Sequence, residues 1–240
     1  MSTVDYPISL AAEDFVPVLL TGAGVAMLVP YLARRAPGSG PRAALGAALI
    51  FVGGASKATW KLVVALDGPD LRWLENALFP CLGVGFALLG HAALSVRTQR
   101  RPDTAQDAAG TPPLWAFLAV SAGACAAAAA IRATWPVLLL TIVMSTITAI
   151  RLILLARDSG DTPAAALLGT WLLGLFALGP LASRPDQSIA LQWTEQTCNT
   201  AAQLAFVVAC RRLSRVGKRD GRADPTHHPR SSTDRSGADT

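Results

Sequence analysis

The feature that most constrains this chain is a succession of apolar runs, each about as long as a bilayer is thick, separated by short polar breaks. A helix needs roughly 20 apolar residues to cross a hydrocarbon core, and only helices or closed barrels satisfy their backbone groups there. The runs are rich in Leu and Ala and lack the period-2 alternation of a barrel strand, so the chain reads as all-α. Seven helices are predicted, near 15–33, 43–66, 71–95, 114–131, 136–156, 163–182 and 188–210. Composition agrees: 15% of the 240 residues are charged, where soluble domains carry about a quarter. Most of that charge is confined to Arg97 to Asp107, Arg157 to Asp161 and the stretch from Arg211 to the C-terminus.

The Ala-rich fourth run, through Ala122 to Ala130, does not by itself demand a span, because alanine is nearly neutral for insertion. The arginines decide it. With seven spans, Arg34, Arg35 and Arg42, then Arg97, Arg100 and Arg101, then Arg157, and finally the tail from Arg211 all fall on one side. The other side receives Arg72, Arg132 and Arg184. Omitting the fourth span would put the basic tail opposite the basic first loop, against the positive-inside rule. The expected fold is therefore an integral membrane seven-transmembrane-helix bundle in the plasma membrane, N-terminus out and C-terminus in.

The expected organisation is a short extracytoplasmic N-terminus at 1–14, a three-helix unit at 15–95, a cytoplasmic linker at 96–113, a linking helix at 114–131, a second three-helix unit at 136–210 and a disordered basic tail at 211–240. Asp5, Glu13 and Asp14 replace the basic start of a signal peptide, so the first helix is expected to remain. The linker and tail are too poor in apolar residues to fold alone.

The net charge of +5 comes from residues flanking the spans, which sets topology and does not point to nucleic acid. The cluster Arg211, Arg212, Arg215, Lys218 and Arg219 anchors the last span and would attract anionic lipid at about 1 kcal/mol per charge. Cys81, Cys125, Cys198 and Cys210 all lie in spans with no C-x-x-C pair, and no metal or cofactor motif is legible. His227 and His228 fall in the tail.

Arg72-Trp73-Leu74-Glu75-Asn76 opens the third span and Gln192-Trp193-Thr194-Glu195-Gln196 stands near the start of the seventh, with Phe86 and Phe206 in the same register. Pro17 and Pro136 fall at nearly the same offset, so spans one to three and five to seven read as parallel copies joined by span four. That layout resembles the SWEET and PQ-loop group of transporters in span number, orientation and three-one-three arrangement. Such parallel repeats imply a carrier with its site between the halves. The Pro-Gln dipeptide of the PQ-loop family is absent here, and no residue roles transfer. Span seven lacks the lysine a retinal Schiff base would need.

Ionisable groups inside a span are costly unless paired or wetted, which makes them functional candidates. At 1.5 Å per residue Lys61 lies about 7 Å and Lys57 about 13 Å below the outer end of span two, in the same depth range as Glu75 and Glu195. The two lysines are four apart and repel, so carboxylates or water should accompany them, with Glu75 the expected partner across the outer hairpin and Arg72 and Arg184 at the rim. Gln192, Glu195, Asn199 and Gln203 form a polar stripe that should not meet lipid. The candidate ligand-binding set is Lys57, Lys61, Glu75, Glu195, Asn199 and Gln203; amides on such a stripe also serve as interhelical glue. Thr141, Ser145 and Thr148 read as packing hydroxyls that bond their own helix. Arg151 reads as snorkelling, His91 as interfacial, and Trp73, Trp193, Trp115 and Trp135 as an aromatic belt. The glycines Gly53, Gly54, Gly83, Gly85 and Gly90 permit close helix contacts.

Three function classes follow. The first is a small-molecule carrier or ligand-binding protein whose polar site opens outward. The second is a sensory or structural subunit whose charges meet a membrane partner or a second copy. The third is an intramembrane enzyme using two carboxylates as acid and base on a lipidic, terpenoid-like substrate. Small seven-span terpene cyclases are similar in size and span count, but none of their surrounding motifs is present, nor is a D-D-x-x-D segment.

Overall fold

A computed structural model describes residues 8–96, 111–182 and 189–220, with side chains omitted over 179–189 and 216–220. Among the described residues every regular element is a helix. In chain order these are α1 (Ile8–Glu13), α2 (Phe15–Arg35), α3 (Gly40–Ala65), α4 (Arg72–Asn76), α5 (Leu78–Leu94), α6 (Leu114–Ile131), α7 (Trp135–Asp158), α8 (Thr162–Ala182) and α9 (Ile189–Asp220). The pairs α1–α2 and α4–α5 each form one broken rod, leaving seven long units that match the seven predicted spans. Five of them are long and apolar enough to cross a membrane: Ile8–Arg35, Gly40–Ala65, Arg72–Leu94, Leu114–Ile131 and Trp135–Asp158. The chain is thus a helical bundle of the polytopic membrane type.

Order around the bundle is set by contact. α2 packs on α3 and α9, α3 on α5, α5 on α7, α7 on α8, and α8 on α9. Those six close a ring. Among the described residues α6 packs chiefly on α5 and α7 from outside it, and Ser121 is its one buried residue. Leu and Ala all round α6, with eleven of its eighteen residues exposed, is the pattern of a helix facing lipid.

Small residues let the ring close tightly. Gly46 and Gly85 face each other, so that a Cβ on Gly46 would lie 2.7 Å from the Gly85 carbonyl oxygen. Gly83 receives Leu140 and Thr141, and Gly90 receives Thr148. The α7 hydroxyls do more than bond their own helix: Thr141 Oγ1 also reaches the Phe79 carbonyl at 3.1 Å and Thr148 Oγ1 the Phe86 carbonyl at 3.2 Å. Inside the ring Trp171 of α8 stacks on Phe206 of α9 with centroids 4.4 Å apart, and Phe86 of α5 tilts against it at 6.4 Å.

Four expectations need correction. The N-terminal segment is helical from Ile8 and packs inward, with Leu10 and Ala11 buried. The last helix runs to Asp220, beyond the expected end at 210, because its extra turns have partners: Leu213 is buried, Arg212 Nε lies 3.0 Å from Asp161 Oδ1, and Ser214 Oγ donates to the Met27 carbonyl at 2.9 Å. Arg151 does not snorkel; it donates to the Ala93 and Val96 carbonyls and caps the end of α5. His91 is 4% exposed, its Nδ1 3.1 Å from Arg42 Nη1 and its Nε2 3.2 Å from the Pro112 carbonyl. Arg42 can only donate, so the imidazole is the neutral tautomer protonated at Nε2. Trp73, Trp115, Trp135 and Trp193 are all exposed, as an aromatic belt requires. Most of the 96–113 linker, Arg184 and the tail from 221 lie outside the described residues.

Candidate functional site

At the end of the ring where α2 begins and α3 ends, five helices leave a cavity of about 390 Å³. Its α9 wall carries Glu195, Gln196, Asn199 and Gln203, residues spaced at one, three and four along one helical face. The opposite apolar wall is Leu78, Phe79, Leu82 and Phe86 from α5 with Trp171, Leu175 and Leu178 from α8. Between them α3 contributes Ile50, Gly54, Lys57, Ala58 and Lys61, and α2 contributes Pro17, Val18 and Thr21, with Asp14 at the turn between α1 and α2. Gly54 is what brings α2 close, since a Cβ there would meet Val18 at 3.1 Å.

Five of the six candidate residues, Lys57, Lys61, Glu195, Asn199 and Gln203, line this one cavity. Glu75 does not. It stands on α4 at the rim, within electrostatic range of Lys57, together with Asp14 and Glu195. The carboxylate that neutralises a lysine at contact distance is Asp14, whose Oδ2 is 2.6 Å from Lys61 Nζ, with both side chains largely buried. Sequence reasoning had placed Asp14 outside the bundle, because three acids before an apolar run look like a terminus. A helix start at Ile8 turns it inward. Glu13 next to it accepts a hydrogen bond from Thr200 Oγ1 at 3.1 Å, tying α1 to α9.

The lysine four residues deeper is placed differently. Among the described residues Lys57 makes no hydrogen bond or ion pair, and its charge is met only at longer range by Asp14, Glu75 and Glu195, with Lys61 opposing. Two further groups lack partners. Trp171 is 1% exposed and its Nε1 donor is unpaired; Gln203 is 8% exposed and its Oε1 acceptor is unpaired. The Gln203 amide nitrogen faces Asn199 Oδ1 at 3.4 Å, which ties it to its neighbour one turn earlier on α9. Buried polar groups nearly always have partners, so these two are exceptions to the rule.

No protein-family model, curated protein or solved structure matches the chain. The site therefore stands on its own geometry. Beside the cavity mouth, Asp70 is the centre of an exposed cluster, accepting from Trp60 Nε1 at 2.9 Å and from Arg72 Nε at 2.8 Å. Those two hydrogen bonds, Trp60 first, hold the Asp70 carboxyl below its ordinary value. Arg72 thus pairs with Asp70, leaving the interior acids to the lysines. Chemically the cavity offers an uncommitted cation one turn deeper than the Asp14–Lys61 pair, an amide-lined wall, a wall of Leu and Phe, and buried aromatic rings.

Proposed function

We propose that this protein sits in the cell membrane with its N-terminus outside and binds a small molecule in the cavity, as a carrier or a ligand-binding receptor. One observation carries the reading: charged side chains from separate helices and the polar face of α9 converge on a single cavity, with Lys57 left outside the Asp14–Lys61 pair. A volume of about 390 Å³ lies within the range of about 300–1,000 Å³ common for ligand pockets. The arginine distribution supports the orientation, which makes the cavity open outward. The ring order is also what two parallel three-helix units would give, with α2, α3 and α5 contiguous on one side, α7, α8 and α9 on the other and α6 outside. The lining is less symmetric, since α2 contributes to it and α7 does not.

The acid-base reading is less well supported, because Glu75 is not at the cavity. The test is a thermal-unfolding screen of the purified protein against a panel of metabolites. At least one class of compound should raise the unfolding temperature, and Glu195→Gln and Lys57→Met should weaken that effect. Absence of any stabilisation, with both variants behaving as wild type, overturns the reading.

A further inference from the structure

Four charged side chains line the cavity, and two of them hold each other. Asp14 and Lys61 are in contact at 2.6 Å, which joins the start of α2 to the outer part of α3. The other two, Lys57 and Glu195, stand on α3 and α9, each of which packs on α2. Lys57 lies eight residues before Ala65, the end of α3, and Glu195 six residues after Ile189, the start of α9. At 1.5 Å per residue both are about 9–12 Å below the end of their helix, so they share a level. Glu195 is among the charges that act on Lys57, yet no ion pair joins the two. Opposite charges on different helices, in range of each other but not in contact, border the same open space.

That arrangement decides the charge of a ligand received there. An anion drawn to Lys57 comes into the field of Glu195 and is repelled, and a cation drawn to Glu195 meets Lys57 in the same way. The lining as a whole is balanced, with Lys57 and Lys61 against Asp14 and Glu195. A ligand with net charge therefore leaves an uncompensated charge in surroundings of low dielectric, whereas a ligand carrying both signs leaves none. Glu195 can take part whatever else it binds, because a carboxylate accepts at both oxygens and has room for more than one donor.

The remaining walls limit the rest of the ligand. Leu78 and Leu82 from α5 and Leu175 and Leu178 from α8 are apolar and suit a hydrocarbon group. A volume of about 390 Å³ is about thirteen times the ~30 Å³ a water occupies in the liquid, which is room for about a dozen non-hydrogen atoms. One of the larger apolar amino acids has that size, with both charges on a single carbon.

We propose, on the ligand-binding reading above, that the cavity takes a zwitterion of the amino-acid class with an apolar side chain, its carboxylate on Lys57, its ammonium on Glu195 and its side chain along the Leu and Phe wall. The tasks of the two charged groups are separate. Lys57 rejects ligands that lack the carboxylate, and Glu195 rejects those that lack the ammonium.

The test uses the full chain in lipid nanodiscs and three probes on one skeleton: phenylalanine, 3-phenylpropionate, which lacks the ammonium, and 2-phenylethylamine, which lacks the carboxylate. Leucine, 4-methylpentanoate and 3-methylbutylamine repeat the comparison with a smaller side chain. Calorimetric titration near pH 7, with the heat of partition into protein-free discs subtracted, gives the affinities. Wild type should bind the amino acid of at least one set about tenfold or more tighter than either of its analogues, since each analogue forfeits one charge-assisted hydrogen bond. In Lys57→Met the preference over the amine should be lost while the preference over the acid remains. In Glu195→Gln the losses should be reversed. Unfolding temperatures report whether each variant is folded, and the wild-type ranking tests the proposal without either of them.

An acid that binds wild type as tightly as its amino acid in both sets overturns the ammonium subsite, and an amine that does so overturns the carboxylate subsite. Either result still leaves a ligand in the cavity and the broader reading standing. A wild-type preference that neither variant alters places the zwitterion elsewhere and also overturns the proposal. Binding of none of the six probes overturns it outright, and the metabolite screen then decides the ligand-binding reading alone.

Discussion

Replacing Gly85 by alanine should force apart the two helices that hold the deep end of the cavity. A methyl group there would lie 2.7 Å from Ile50 Cγ1, 2.9 Å from the Gly46 carbonyl oxygen and 3.1 Å from the Ile50 nitrogen. The Ile50 side chain can rotate, but the other two atoms are α3 backbone, and a packed interior has little room to yield. Overpacking of this kind costs about 1–3 kcal/mol, against a gain of about 0.5–1 kcal/mol for alanine over glycine inside a helix; with backbone atoms in the way the cost falls toward the upper end, leaving a net loss of up to about 2.5 kcal/mol. Gly123 on α6 supplies the control, since nothing lies within 4 Å of a Cβ built there. Gly123→Ala therefore retains the favourable term alone. Unfolding in mixed micelles titrated with a denaturing detergent, followed by circular dichroism, should show Gly85→Ala destabilised and Gly123→Ala unchanged or slightly stabilised. Because Ile50 and Phe86 both line the cavity, Gly85→Ala should also weaken any ligand that packs on them. If the two alanine variants shift stability alike, α3 and α5 do not meet as closely as argued.

A double-mutant cycle of Asp14→Asn and Lys61→Met should give a coupling of about 1–3 kcal/mol in thermal or detergent unfolding, because the pair is in contact and largely shielded from water; additive effects would show that the two charges are solvated separately. Asp161→Ala should cost about 1–2 kcal/mol through loss of the acceptor for the Ala164 amide at 3.1 Å, and Asp161→Asn should cost less, since Arg212 is nearly half exposed and its pairing adds little. Asp70 gives an acid-side effect: its carboxyl is held below the unfolded value, so its contribution is present above that value and lost as pH falls through the folded one. The unfolding temperature measured from about pH 6 to about pH 3 should fall in wild type by a component missing from Asp70→Asn, and identical curves would refute the assignment.

The seven helices were legible because a membrane-length apolar run admits few other readings, and five of them are long and apolar enough to span. The breaks within spans were not. Nothing in the residues around Asp14 or Ala77 announces that one rod divides into α1 and α2 or another into α4 and α5, because both breaks are single-turn adjustments between good helix formers. Lys57, Lys61, Glu195, Asn199 and Gln203 could be selected from chemistry alone, since each is expensive in lipid. Trp171 could not, because an apolar aromatic in an apolar run looks like core, and only its unpaired N–H and its place in the lining distinguish it. Glu75 does act on Lys57, but at longer range and from outside the cavity lining; the contact partner of Lys61, Asp14, could not be picked out because three acids before an apolar run look like a terminus.

The relation between the two lysines determines what the cavity can accept. They sit one turn apart on the same helix face, where like charges repel. Asp14 relieves that repulsion by holding Lys61 at 2.6 Å, which fixes the end of α3 against the start of α2 and makes Lys61 a structural group. Lys57 has no such contact and depends on carboxylates at longer range, so an incoming carboxylate gains an attraction without breaking a pair. A ligand with a cation alone would be opposed by Lys57, and one with an anion alone by Glu195. Net charge in the lining is balanced, with two lysines against Asp14 and Glu195. On this reading selectivity arises from Lys57 and Glu195 together, and Lys57→Met should abolish discrimination between zwitterionic and cationic ligands, whereas Lys61→Met should chiefly lower stability.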